Sequence, residues 1–138
     1  MARLKILVAE DNRGDVFLMR EALLAHGIEH DLFVLQDGAE ALAYMDRMGK
    51  SPDAPCPDVF LLDLNLPKVE GHQLLTRFRG HPLCQDTPVI VVTSSDAPRD
   101  RERAALLGAA RYFRKPSDID EFMQLGAVIK EVVHRTPV

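Results

Sequence analysis

Apolar residues fall along this chain in two alternating rhythms. Short runs dense in branched aliphatic residues are each followed by a longer stretch in which apolar positions recur every three or four residues. Leu4 to Ala9 is apolar apart from Lys5 and stops at Glu10-Asp11-Asn12, which predicts a buried strand ending in an acidic loop. Val16, Met19 and Leu23 then mark a helix that Asp15 is expected to cap and Gly27 to end. His30 to Gln36 holds a second strand, and Asp37-Gly38-Ala39-Glu40 offers an N-cap with a glutamate three positions on, opening a helix to about Met48. Pro52, Pro55 and Pro57 make the Gly49 to Pro57 segment a loop.

Val59 to Leu62 predicts a third strand that delivers Asp63 at its carboxyl end, and Leu74, Leu75 and Phe78 mark the helix after it. Pro88 to Thr93 is almost wholly β-branched, as suits a strand buried on both faces of a parallel sheet. Ser95-Asp96-Ala97-Pro98 opens a helix whose Arg99 to Arg103 run is expected to face solvent. Ala110 to Phe113 predicts a short fifth strand ending at Arg114-Lys115-Pro116. A last helix should follow, capped by Asp118, with a stripe of Ile119, Phe122, Ile129 and Val133. Strand then helix, five times over, implies one α/β domain over residues 1–138, with a parallel sheet, right-handed crossovers and helices on both faces.

Composition narrows the function classes. Seventeen basic against 21 acidic residues leave a net charge of -4 without a basic run, which argues against nucleic acid as a partner. Cys56 and Cys84 lack metal-ligand or redox-motif spacing, the start of the chain runs straight into a strand, and no apolar run approaches a membrane span. A cytoplasmic protein with reduced thiols is expected. His26 and His30 are separated by the helix end at Gly27 and make a poor metal pair, while His72, His81 and His134 are expected on the surface.

In such a sheet, ligands gather outside the carboxyl ends of the strands. Those ends carry Glu10-Asp11, Asp63, Thr93-Ser94-Ser95 and Lys115-Pro116. An isolated aspartate there is ordinarily a turn residue or cap, but acids, hydroxyl and amine converge here on one crevice. Two like charges ~4 Å apart repel by ~4 kcal/mol at an effective dielectric of ~20, so three carboxylates need more than the single ammonium of Lys115. Oxygen-only ligands favour a hard cation, and Mg2+ joins carboxylates to a phosphoryl group. Asp63 then reads as a carboxylate nucleophile, Thr93 as a hydroxyl donor and Lys115 as a cationic partner of phosphoryl oxygens.

Glu10-Asp11-Asn12, the Leu61-Leu62-Asp63-Leu64-Asn65-Leu66-Pro67 stretch, Glu70-Gly71, Thr93-Ser94-Ser95, Gly108-Ala109-Ala110 and Tyr112-Phe113-Arg114-Lys115-Pro116 together resemble the CheY-like receiver domains of bacterial two-component response regulators. The resemblance implies a flavodoxin-like sheet of order 2-1-3-4-5 and phosphorylation of Asp63 by a sensor histidine kinase. It implies Mg2+ held by Asp11, Asp63 and the carbonyl of Asn65, with Glu10 assisting. It places Tyr112 at an aromatic switch position that answers to Thr93, though packing at the sheet rim explains a tyrosine there equally well. Asn65 and Ser95, each two residues past a key position, would tune hydrolysis of the acyl phosphate. The proline-rich loop before the third strand and the Asp63 to Lys68 wording are similar to single-domain regulators paired with phytochrome-type kinases, from which Arg13 departs.

The expectation is thus a phosphoacceptor signalling module, not an enzyme with its own substrate, and without an output domain. Its output would be protein contact or onward transfer to a histidine phosphotransfer protein, and an exposed switch surface of this kind can also serve a homodimer. A phosphatase of the haloacid dehalogenase type would need an acid where Asn65 stands. A scaffold that is never phosphorylated would tolerate loss of the acids or of Lys115, and all are present.

Overall fold

Alternate residues of the central strands face opposite layers of helices, and both layers are apolar, which is why these strands read as nearly unbroken aliphatic runs. The computed structural model describes residues 3–134. In chain order the elements are β1 (Leu4–Ala9), α1 (Arg13–Ala25), β2 (His30–Leu35), α2 (Gly38–Arg47), β3 (Val59–Leu62), α3 (Gly71–Arg79), β4 (Val89–Thr93), α4 (Pro98–Leu106), β5 (Arg111–Arg114), α5 (Ile119–Phe122) and α6 (Gln124–His134). The strands form one parallel sheet of order β2-β1-β3-β4-β5, the doubly wound topology that the resemblance implied. The expectation that the chain runs straight into a strand falls partly on residues outside those described.

On one face Leu7, Ala9, Phe60, Leu62, Val89 and Val91 pack against Tyr44, Met45, Leu74, Leu75 and Phe78 of α2 and α3. Phe60 and Phe78 meet there with ring centroids 4.7 Å apart, near the close end of the range favoured by aromatic pairs. On the other face Ile6, Val8, Val59, Leu61, Ile90 and Val92 meet Met19 and Leu23 of α1, Phe122 of α5, and Leu125 and Ile129 of α6. With β1, β3 and β4 sealed on both sides, the residues that leave their carboxyl ends emerge together. No helix among the described residues is long and apolar enough to cross a membrane.

Several expectations need correction. Asn12, not Asp15, caps α1, its side chain accepting from the backbone N–H of Asp15 at 3.0 Å, so the cap lies three residues earlier. The fifth strand is Arg111–Arg114, one residue later than expected, because Ala110 only delivers its N–H to the Val89 carbonyl, 2.8 Å away. The last helix is two pieces. The Met123 carbonyl at the joint accepts from His26 Nε2 at 3.0 Å and from the Gly126 N–H at 3.1 Å. Gly126 permits that approach, since a Cβ there would stand 2.3 Å from the His26 ring. The buried stripe is therefore Phe122, Leu125, Ile129 and Val132, with Ile119 exposed and Val133 only partly covered.

Candidate functional site

Asp63 leaves β3 with its backbone N–H on the Ala9 carbonyl at 3.0 Å, so the neighbouring strand holds the residue at the sheet edge. The loop after it folds back tightly. Gly71 opens α3 against Leu64, where a Cβ would come within 2.4 Å of the Leu64 Cα, and its N–H donates to the Leu64 carbonyl at 3.1 Å. Glycine is demanded here because backbone meets backbone. The Asn65 N–H donates to Asp63 Oδ1 at 3.0 Å, which orients the carboxylate and leaves Oδ2 toward the crevice centre.

Lys115 fills that centre. Its Nζ lies 2.7 Å from Glu10 Oε1, 2.8 Å from Asp15 Oδ2 and 2.9 Å from Asp63 Oδ2. β5 places it, through a Lys115 N–H to Thr93 carbonyl bond of 2.8 Å. Glu10, Asp63 and Thr93 are buried, whereas Asp11 is exposed. Thr93 Oγ1 accepts from Asn65 Nδ2 and from the Ser95 N–H, each at 3.4 Å. Glu10 Oε2 is held by the Asn12 N–H at 3.1 Å, while the buried Oε1 has an ion-pair partner in Lys115 but no aligned hydrogen-bond donor.

The electrostatics are unbalanced. Burial pushes the Glu10 carboxyl up to about 7, with the Asp63 charge adding to it and Lys115 opposing. Lys115 is held above its ordinary value because its contacts with Asp15, Glu10 and Asp63 together outweigh its burial. One ammonium thus serves three carboxylates, with Asp11 alongside. Carboxylate oxygens of Glu10, Asp11 and Asp63 all lie within 4.8 Å of one another. An all-oxygen donor set, excess negative charge and a buried oxygen without an aligned donor fit a hard divalent cation.

The sequence-predicted residues divide in two. Glu10, Asp11, Asp63, Asn65, Thr93 and Lys115 come together around the crevice. Ser95 and Tyr112 sit at its side. The Ser95 hydroxyl donates to Asp100 Oδ2 at 2.6 Å, at the start of α4. The Tyr112 hydroxyl donates to the Ser95 carbonyl at 2.9 Å, and the Arg101 guanidinium carbon lies 4.3 Å from the ring centroid, so part of the Arg99 to Arg103 run has work besides solvation.

Sequence reasoning missed two residues. Asp15 was assigned to a helix end, and only its spacing of four from Asp11 hinted that it faces the same crevice. His72, expected on the surface, is buried, with Nδ1 3.1 Å from Glu70 Oε1 and Nε2 3.4 Å from the Asp100 carbonyl, because α4 closes over it.

A family model described as the response regulator receiver domain matches residues 6–126. The response regulator Rcp1 of Synechocystis sp. is 32% identical over 120 residues, covering 87% of this chain and 82% of that protein. Among solved structures, the phosphorylated cyanobacterial phytochrome response regulator RcpA superposes with a TM-score of 0.86 at 33% identity, over 99% of this chain and 98% of that one. The Mn2+-bound form of Rcp1 gives 0.84 at 30% identity, over 98% and 97%.

Proposed function

The chain belongs to the response regulator receiver domain family, and on that premise we propose that Asp63 accepts a phosphoryl group from a phosphohistidine of a sensor histidine kinase, with a divalent cation, Mg2+ in the cell, held by the neighbouring acids. The observation that carries this reading is the Asp63 carboxylate itself. One oxygen is oriented by the Asn65 N–H, the other lies 2.9 Å from Lys115 Nζ, and oxygens of Glu10 and Asp11 stand within 4.8 Å.

Asp11, Asp63 and the Asn65 carbonyl would hold the cation, with Glu10 supporting them. Bound there, it offsets charge on the group in transfer. The Asp63 carboxylate attacks phosphorus in line. The bond from phosphorus to the donor's imidazole nitrogen breaks, and its electron pair stays on that nitrogen. Lys115 donates to one phosphoryl oxygen and the Thr93 hydroxyl to another. In doing so Lys115 exchanges its Asp63 contact for the new group while Glu10 and Asp15 keep hold of its ammonium.

The movement of Thr93 toward the phosphoryl group breaks its contacts with Asn65 and Ser95. Tyr112, bonded to the Ser95 carbonyl, is the residue that registers this change at the α4 and β5 surface. Asn65 and Ser95 flank the approach of a hydrolytic water and set the lifetime of the acyl phosphate. Residues 1–138 act as one receiver unit in the cytoplasm, and the partner is a kinase of the phytochrome type, as the likeness to RcpA supports. Output runs through protein contact, through a second copy of the chain, or onward to a histidine phosphotransfer protein.

The test is phosphate incorporation from a small phosphodonor with and without Mg2+. Incorporation should require the cation and vanish in Asp63→Asn. Equal labelling of wild type and variant would refute the reading.

A further inference from the structure

At the opposite end of β3 from Asp63 lies a pair of sulfurs that the receiver chemistry does not use. Cys56 sits in the proline-rich loop before β3, and Cys84 in the loop between α3 and β4. Both are free thiols, Cys84 buried and Cys56 partly accessible, and their Sγ atoms are 3.6 Å apart. They are 28 residues apart in sequence, so only the pairing of β3 with β4 brings them together.

The neighbourhood holds both loops in register. Cys56 Sγ donates to the Leu83 carbonyl at 3.2 Å. The Tyr44 hydroxyl donates to the Pro55 carbonyl at 2.6 Å, and Arg79 Nη1 donates to the Cys84 carbonyl at 3.0 Å. The sulfurs stand 3.6 Å apart and need approach by only about 1.5 Å to reach the ~2.05 Å of a disulfide.

We propose that Cys56 and Cys84 form an intramolecular disulfide when the protein meets hydrogen peroxide. The accessible Cys56 sulfur attacks the peroxide and takes one oxygen as its sulfenic acid. The O–O bond breaks, and the peroxide is reduced by two electrons with loss of water. The Cys84 sulfur then attacks the Cys56 sulfur, the S–O bond breaks, and the hydroxyl leaves with the Cys84 proton as a second water. Two thiols and one peroxide give one disulfide and two waters. Burial, with the Cys56 thiol adding to it, pushes the Cys84 thiol up to about 12, so Cys84 is not the first to react.

The bond would close a ring around β3 and α3, the segment that carries Asp63, while leaving untouched the crevice at the other end of β3. The inference is independent of any reading of Asp63.

The test treats the reduced full chain with hydrogen peroxide and follows intact mass, peptide map and thermal unfolding. The expected result is a monomer lighter by two hydrogens, a linked Cys56–Cys84 peptide, reversal by a reductant, and a Tm higher by roughly 5 °C. In Cys84→Ala a dimedone adduct should accumulate on Cys56, and in Cys56→Ser, which leaves the buried thiol in place, Cys84 should stay reduced. A covalent dimer as the main product overturns the proposal. So does irreversible oxidation of Cys56 beside a free Cys84, or a linked form that melts below the reduced one.

Discussion

At the carboxyl ends of the strands, Lys115 is gripped by three carboxylates. Near their amino ends, Arg79 is gripped by four carbonyls, donating through Nη1 to Cys84, Gln85 and Thr87 at 2.8–3.0 Å and through Nη2 to Gly108 at 2.9 Å. Both cations tie together loops that are distant in sequence, yet their partners differ in kind. Neutral carbonyls accept from the guanidinium without adding negative charge, so the Arg79 cluster holds no surplus of carboxylate for a further cation to offset. Carboxylates around one ammonium leave negative charge over, so the Lys115 cluster gains from a further cation or from chemistry that rearranges it. A closed hydrogen-bond account marks a structural clamp, and an open charge account marks a site.

Exchanging the two cations should separate the roles. Arg79→Met strands four carbonyls, those of Cys84 and Thr87 partly shielded from water, and should cost about 2 kcal/mol in denaturant unfolding, while phosphate labelling per folded molecule stays unchanged. A variant as stable as wild type would break the comparison. Lys115→Met should act first on the chemistry. Labelling from a small phosphodonor falls about 10²-fold, and the stability lost by exposing the acids to one another returns on adding Mg2+, as denaturation with and without the ion would register.

Asp15→Asn sharpens the point within the crevice. It removes one claimant on Lys115, so the labelling rate should change by only a few-fold, equivalent to about 1 kcal/mol or less. A loss as large as that of Lys115→Met would make Asp15 part of the chemistry and not of the lysine's positioning.

The smallest effect is on pH dependence. With its carboxyl pushed up to about 7, Glu10 keeps a proton in the folded chain that the unfolded chain releases near its ordinary value of 4.5. Its contribution to the stability of the metal-free protein is full below 4.5 and is lost as pH rises through about 7. Lys115, raised from 10.5, titrates well above this window. A divalent cation held by the same acids would take over the proton's task, so unfolding midpoints compared at about pH 5 and about pH 8 should differ less with Mg2+ than without it. A metal-free protein that gains stability over that window would contradict the electrostatics of the crevice.

Much of this was legible beforehand. Asp63 and Glu10-Asp11 stand out because acids end apolar runs, and Lys115-Pro116 because it ends the last short strand. The capping role of Asp37 was equally readable, its side chain accepting from the Glu40 N–H at 2.8 Å. Asn12 was passed over because Asp15 is also a favoured cap type, and choosing between them depends on where the helix turns out of β1. His72 looked polar and so exposed, and nothing local announces that α4 covers it.

The sequence by itself determined the alternation of strand and helix, the two-faced burial of the central strands and the polar residues that end the strands, because these are written in the local order of apolar and polar positions. The tertiary structure alone decided which of those ends touch. Asp15 and Lys115 are 100 residues apart and their charged atoms 2.8 Å apart, and Cys56 reaches Cys84 only because β3 lies beside β4. A periodic pattern specifies what each segment buries. Distances between segments follow from the order of strands in the sheet, and that order fixes both the overcharged crevice at one end and the paired sulfurs at the other.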